Sequence, residues 1–569
     1  MDFQSRIQKV IYSLGEGWGR TLLRMFIAAA LLLLVFFTYA RQQFSGLRDP
    51  DAMELGQLAQ NLAQGRGFVT DCLRPADLGF LERAGDAPAA GSGIPDIRHA
   101  PAYPGLLAAV LRVIRPSMAA PPAGRLFAPE ATAVLPLGFL CTLLCGLLVM
   151  RAGSRLFDAR VGVAAFVVFA LSEGVLRATI SGGVAPLGML LTTAALGLAL
   201  EAGALRERQA HPAAWVATAL LAGLVAGLAV LTSYALIVVP VVAVLLLAWG
   251  FVRWRGVVVT VFLVAALAVV APWVVRNQQV SGHILGIAPY TALNHSPLYA
   301  EDGWDRTQTP HSDSRDVLRA MTLKFVGNVA DLYGNRLRLL GDGLVMCFFL
   351  VALFWRFEEE RADRLKWSLA LGLVLTIAIA AFGQPGADTL LPLLPMLAIV
   401  GVAFLYKLLD QMLFLTPELK LAIAMGWVAL AALPLLLTLT GPAARRPYPP
   451  YSPQLIQYVC GLLKPGEILA TDIPWAVAWY GDKPGLQLPR TTDALAGMHA
   501  QGVPIGGVYV TTVTGDAPYI STLVQGRERS WLPLLNQLVP EDFPWQHGIA
   551  LPPGTRDQIF LTDAERWVE

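Results

Sequence analysis

The stretch TLLRMFIAAALLLLVFFTYA (residues 21–40) decides how the rest of the chain is read. It holds a single charge, Arg24, and as a helix it is long enough to cross a hydrocarbon core about 30 Å thick. It is too long for a cleaved leader, and Arg41-Gln42-Gln43 follows it where a cleavage site would need small residues. VLPLGFLCTLLCGLLVM (134–150) and GVVVTVFLVAALAVVAPWVV (256–275) repeat the pattern. Only 15% of the 569 residues are charged and 55% are hydrophobic, with a mean hydropathy of +0.55. Soluble domains carry about 25% charged residues. The class is therefore an α-helical polytopic membrane protein.

About eleven spans are expected, near 21–42, 132–150, 161–179, 184–203, 213–231, 234–251, 256–275, 343–356, 367–383, 388–406 and 419–440. The short links alternate in charge. Arg6, Lys9, Arg20 and Arg24 precede or open the first span, and Arg151, Arg155 and Arg160 follow the second. Arg206, Arg208, Arg253, Arg255, Arg356, Arg361, Arg364, Lys366, Lys407 and Lys420 continue the set, whereas 181–183, 232–233 and 383–388 lack Lys and Arg. The positive-inside rule then predicts a cytoplasmic N-terminus. An odd number of spans sends the C-terminus outside.

Two domains follow. Residues 1–440 form the membrane domain, with outer loops near 43–131 and 276–342, and residues 441–569 form a small outer α/β domain behind the Pro-rich linker GPAARRPYPPYSP (441–453). GEILATDI (466–473) and GVYVTTV (507–513) read as strands, and PQLIQYVCGLLK (453–464) as a helix. Trp475, Trp479 and Tyr480 read as core or membrane-facing anchors, with a sugar-stacking surface as the alternative.

A net charge of +2 argues against a nucleic-acid partner. Five cysteines cannot all pair; a Cys72–Cys460 bridge would need proximity that spacing does not give. No metal-ligand spacing is present, although outer-loop carboxylates could hold one divalent cation weakly.

The first outer loop opens with Arg48-Asp49-Pro50-Asp51-Ala52-Met53-Glu54. Asp49 before a proline reads as the N-cap, and Leu55, Leu58, Ala59 and Leu62 give an amphipathic helix ended by Gly65 and Gly67. Such a helix is expected in the interface plane, with Asp51 and Glu54 on nearly one face. RHAPAYP (98–104) leads into a second interfacial helix. In the second outer loop, Leu318, Met321, Phe325, Val329 and Leu332 repeat at helical spacing among Arg315, Arg319, Lys324, Arg336 and Arg338, again as a membrane-surface helix.

DAMELGQLAQNLAQGRGF (51–68) resembles the first-loop signature of bacterial GT-C glycosyltransferases of the family 39 type, relatives of protein O-mannosyltransferases and of the lipid A aminoarabinose transferase. HAPAYPGLLAAVL (99–111), APWVVRNQQVSG (271–282), TLLPLLPMLAIVGVAFL (389–405) and TDIPWAVAWYGDKPGLQLPR (471–490) resemble further segments of that family in the same order. Residues 181–186 and 383–388 depart from its pattern.

The resemblance implies transfer of a sugar from a polyprenyl-phosphate carrier, with inversion, to an acceptor on the periplasmic face of a bacterial inner membrane; the acceptor class, protein, lipid or glycan, stays open. It implies Asp51 as the general base, with Glu54 and Asp49 as secondary acids. Arg276, Arg98 and His99 are the expected donor-phosphate ligands, and Tyr103 and Asn277 the expected acceptor or sugar contacts. Two other readings are a lipid-linked polysaccharide polymerase or ligase, and a multi-pass transporter or flippase. The transporter would need ionisable residues deep in several spans, and Glu173, Arg177 and Asp388 lie near predicted span ends.

Overall fold

The computed structural model describes residues 18–84, 93–122, 125–309, 314–332, 334, 343–383, 389–443, 451–515, 524, 526, 528–548, 551 and 558–566. Arg6, Lys9, Arg336, Arg338, the segment 384–388 and most of the Pro-rich linker lie outside these residues.

Every expected span falls on helix, and the chain is a multi-pass membrane protein. Among the described residues, seven helices are long and apolar enough to cross a membrane alone: Leu23–Gln43, Glu130–Leu156, Ala185–Glu207, Pro212–Val230, Arg255–Ser281, Glu360–Phe382 and Leu391–Gln411. Two further spans are bent pairs, Ala159–Ala170 with Glu173–Ser181 (56°) and Pro417–Ala431 with Leu433–Thr440 (50°). The last two expected spans are shorter among the described residues, Tyr234–Gly250 and Leu344–Ala352. At 1.5 Å per residue neither covers the full core as a straight helix. The count of eleven therefore rests on four irregular members.

Apolar helix faces with small residues let the spans approach closely. A Cβ on Gly223 would lie 2.3 Å from the Phe262 carbonyl oxygen, so the Pro212–Val230 and Arg255–Ser281 helices meet backbone to backbone there. The first and last spans are tied at their outer ends: Gln42 Nε2 donates to the carbonyls of Leu439 (2.7 Å) and Gly441 (3.0 Å).

The long loops and the C-terminal segment pack as one body rather than as loops plus an appendage. A six-stranded sheet runs β1 (Cys72–Leu73), β3 (Gly485–Gln487), β2 (Ile468–Thr471), β4 (Ile505–Val510), β6 (Ile559–Thr562), β5 (His547–Gly548). The first four in this order are mutually parallel, and β6 runs antiparallel to both its neighbours, β4 and β5. Strand β1 belongs to the loop after the first span, with Cys72 opposite Gly485. The chain boundary near 441 is thus not a packing boundary. Leu55, Met53 and Tyr103 share a core cluster with Ile456, Val477 and Trp479.

The Pro50–Ala63 helix is consequently enclosed, not laid open on a membrane surface. Every residue from Ala52 to Asn61 is buried. The Ala102–Ile114 helix covers one side, and the Pro474–Gly481 helix covers the other through Trp479, whose ring lies 3.0 Å from where a Cβ on Gly56 would be. Trp475, Trp479 and Tyr480 are therefore core residues. Gly65 and Gly67, both at positive φ, turn the chain out of the helix as expected. The Ser314–Asp331 helix forms as expected, with Leu318, Leu323 and Val326 exposed. Its Lys324 turns inward, donating to the Ala292 and Asn294 carbonyls at 2.6 Å each. All five cysteines are free thiols, Cys72 and Cys460 included.

Candidate active site

Asp49 caps the Pro50–Ala63 helix: its Oδ1 accepts the Asp51 amide at 3.2 Å, and Pro50 occupies the first helical position, where its missing N–H costs nothing. This fixes Asp51 in the first turn, where the helix dipole favours an anion. Asp51 is the residue of this turn whose side chain opens to solvent; Ala52, Met53 and Glu54 are buried. The surrounding protein nonetheless desolvates the carboxylate. That desolvation, aided by the nearby Glu54 and Asp302 carboxylates, raises Asp51 above the ordinary carboxylate range, while His99 and Arg74 pull it back. A carboxylate so raised is a stronger base than a free one.

Behind Asp51 stands a buried charged network. Glu54, 1% exposed, forms an ion pair with Arg74 and lies 3.5 Å from His99 Nε2. His99 Nδ1 is 2.9 Å from Asp96 Oδ2, and Asp96 Oδ1 also accepts the amides of Arg98 (3.1 Å) and His99 (2.8 Å). Burial opposes the His99 cation, but Asp96, Glu54 and Asp51 outweigh it and hold the imidazole up to about 9. Burial likewise opposes ionisation of Asp96, and the imidazolium and the two amides outweigh it, holding that carboxyl below its usual range. His99 is thus held as an imidazolium, its Nδ1 bonded to Asp96 and its Nε2 facing Glu54 on the helix that carries Asp51.

The other expected ligands are placed differently. The Arg98 guanidinium is neutralised by two carboxylates: its Nε is 2.8 Å from Asp77, and its Nη2 is 2.6 Å from both Asp77 and Asp305. Its side chain is 8% exposed. Arg276 donates to the carbonyls of Asp96 and Phe68 and stacks on Trp273 and Phe68, so it braces the 96–99 loop. Asn277 is buried, accepting from Arg276 at 3.1 Å and donating to the Tyr234 hydroxyl at 3.4 Å. Tyr103 is buried too, its hydroxyl donating to the Gly182 carbonyl at 2.7 Å. Glu54, expected on nearly one face with Asp51, is buried against Arg74 and His99 instead of opening beside it.

Sequence reading passed over Arg74, Asp77, Asp96, Asp305 and Glu130. Asp96 stands three residues before His99, a local spacing that signals a pair. Arg74 and Asp77, Asp305 and Glu130 come from three separate segments and bond partners far along the chain. Asp305 accepts from Arg98 at 2.6 Å and from Asn294 Nδ2 at 2.8 Å, and lies 3.7 Å from Arg74. Among the described residues no three His, Cys, Asp or Glu groups converge as a metal-ligand set. Glu54, the carboxylate nearest Asp51 in sequence, is engaged by Arg74 and His99 and does not fit a cation beside Asp51.

No protein-family model matches the sequence, and no curated protein does. Solved structures are similar in fold. One is the Archaeoglobus fulgidus oligosaccharyltransferase in complex with zinc and sulfate, at a TM-score of 0.58 and 13% identity over 89% of this chain and 70% of that one. Another is the archaeal oligosaccharyltransferase AglB from the same organism with an inhibitory peptide and a dolichol-phosphate, at 0.57 and 12% over 97% and 75%. A third is ArnT from Cupriavidus metallidurans bound to undecaprenyl phosphate, at 0.53 and 14% over 96% and 99%. The architecture, membrane spans beneath an α/β layer, is the fold these structures share, of the GT-C type.

Proposed function

We propose that this chain is a membrane glycosyltransferase that moves a sugar from a polyprenyl-phosphate carrier to an acceptor hydroxyl on the outer, periplasmic face of a bacterial inner membrane. The observation that carries the reading is Asp51: a solvent-open carboxylate fixed by a helix cap at the edge of the outer layer, made basic by its surroundings, with an imidazolium behind it. Two of the similar structures hold a polyprenyl-type lipid phosphate, dolichol-phosphate in one and undecaprenyl phosphate in the other, which favours the same donor class here.

In this reading Asp51 takes the proton of the acceptor hydroxyl as its oxygen bonds to the anomeric carbon. The bond from that carbon to the lipid-phosphate oxygen breaks with its electrons, inverting the centre and releasing the lipid phosphate as an anion. A base so placed contributes about 10²–10⁴-fold. The leaving phosphate needs positive charge more than a proton. His99 is the cation best suited to that, being charged and partly accessible, whereas Arg98 is neutralised and Arg276 braces backbone. Tyr103 and Asn277 act as supports for the loops rather than as sugar contacts. Glu54 and Asp49 act by positioning, as His99's partner and as the cap.

The test is purified protein with a panel of radiolabelled polyprenyl-phosphate sugars, scoring hydrolysis or transfer. Asp51→Asn is expected to lower turnover at least 100-fold with the thermal midpoint unchanged. Full turnover in that variant removes Asp51 from the chemistry.

A further inference from the structure

The far end of the Asp51 helix meets the far end of the Ala102–Ile114 helix around a cavity of about 420 Å³. Its floor is apolar, with Leu111 and Met118, and its polar lining comprises Gln60, Gln64, Arg112 and Arg115. Gln60 lies nine residues along the helix from Asp51, about 14 Å at ~1.5 Å per residue, so this is a separate place from the candidate active site.

Three features of the cavity go together. Arg112 and Arg115 are exposed, and neither forms an ion pair among the described residues. Arg115 ends its helix in the left-handed region (φ 49°) and folds back, its Nε donating to the Arg112 carbonyl at 3.3 Å, and both arginines line the cavity. The cavity lining holds no acid, and Asp482, the acid bonded to Gln60, is paired with Arg66 at 2.7 Å. Gln60 is almost fully buried; its Nε2 donates to Asp482 at 3.2 Å, which fixes the amide orientation, and its Oε1 has no partner among the described residues. A ligand that supplies both an anion and a hydrogen-bond donor would complete the set.

The surroundings say where that ligand comes from. Leu106, Ala109 and Val113 fall on one face of the Ala102–Ile114 helix and are exposed, Val113 to 83%, with Ile114 exposed beside them. An apolar stripe of this kind ending in two arginines is the pattern of a helix lying at a bilayer surface with its cations at headgroup depth. We infer that this cavity binds the phosphate of an anionic membrane lipid whose headgroup carries hydroxyls, with Arg112 and Arg115 on the phosphate and Gln60 accepting from a hydroxyl. The site does not depend on the glycosyl-transfer reading.

The test uses full-length protein in detergent, titrated with phosphatidylglycerol, phosphatidylcholine or inorganic phosphate, and read by native mass spectrometry and by thermal midpoint. Phosphatidylglycerol is expected to bind and to raise the midpoint. Phosphatidylcholine, whose phosphate is balanced by its own cation, is expected at least tenfold weaker, and Arg112→Gln/Arg115→Gln is expected to lose the preference. Arg112→Glu, at an exposed position, reports on the same charge if the double variant fails to fold. Equal binding of the two lipids, or an unchanged preference in the variants, overturns the inference. Inorganic phosphate matching phosphatidylglycerol overturns the lipid as its source.

Discussion

The Tyr480 hydroxyl donates to Glu130 Oε1 at 2.7 Å, joining the C-terminal outer domain to the first turn of a membrane span. The same oxygen accepts from Trp479 Nε1 at 3.2 Å, and the other accepts the Leu47 amide at 3.4 Å, a few residues before the Asp49 cap. One carboxylate in a π-helical turn therefore gathers three segments, and such turns recur at functional places. Tyr480→Phe is expected to cost about 1–3 kcal/mol by leaving Glu130 short of a donor. Glu130→Gln removes an acceptor and is expected to cost a similar amount. If the two side chains form one unit, the double variant costs less than the sum in thermal unfolding. Full additivity would mean that the contact carries no coupling.

The His99 imidazolium gives the site a pH dependence. Its folded-state value, about 9, lies above the unfolded value near ~6.5. Its contribution to stability is thus fully present below about 6.5 and is lost as pH rises through about 9. Asp51 is raised as well, so as a base it gains activity with pH, from above the ordinary carboxylate range. A bell-shaped kcat/KM profile is expected, with an alkaline limb near pH 9 that disappears in His99→Gln. An unchanged alkaline limb in that variant would exclude His99 as its source.

Arg98 separates a supporting role from a ligand role. Removing it strands Asp77 and leaves Asp305 with Arg74 at 3.7 Å as its cation. Arg98→Gln is expected to lose about 3–5 kcal/mol of stability, measured by thermal unfolding. A stably folded Arg98→Gln with a selective rise in KM for the lipid-phosphate donor would instead put Arg98 on the phosphate.

Gly56 sets how closely the outer domain docks. A Cβ there already meets the Trp479 ring at 3.0 Å, so Gly56→Leu overpacks a buried contact and is expected to cost about 1–3 kcal/mol or more. Hydrogen exchange across Pro474–Gly481 should rise in that variant. Unaltered protection there would show that the helix finds another seat.

The membrane class, the helical segments, the Asp49 cap and the start of the Asp51 helix were legible in the sequence, because each rests on local chemistry: a run of apolar residues, an Asp-Pro pair, glycines at a helix end. The strands at Ile468–Thr471 and Ile505–Val510 were legible for the same reason, as short apolar runs between turns. What tertiary structure alone decided is which groups are neutralised. Arg98 and His99 are neighbours in the chain, yet one ends between Asp77 and Asp305 and the other between Asp96 and Glu54. Asp51 and Glu54 are three residues apart, yet one opens to solvent and the other lies sealed against Arg74. The partners that make these differences are up to 207 positions away, as Asp305 is from Arg98. Helical spacing gives a side chain its direction, but its charge and reactivity follow from what the folded chain packs against it.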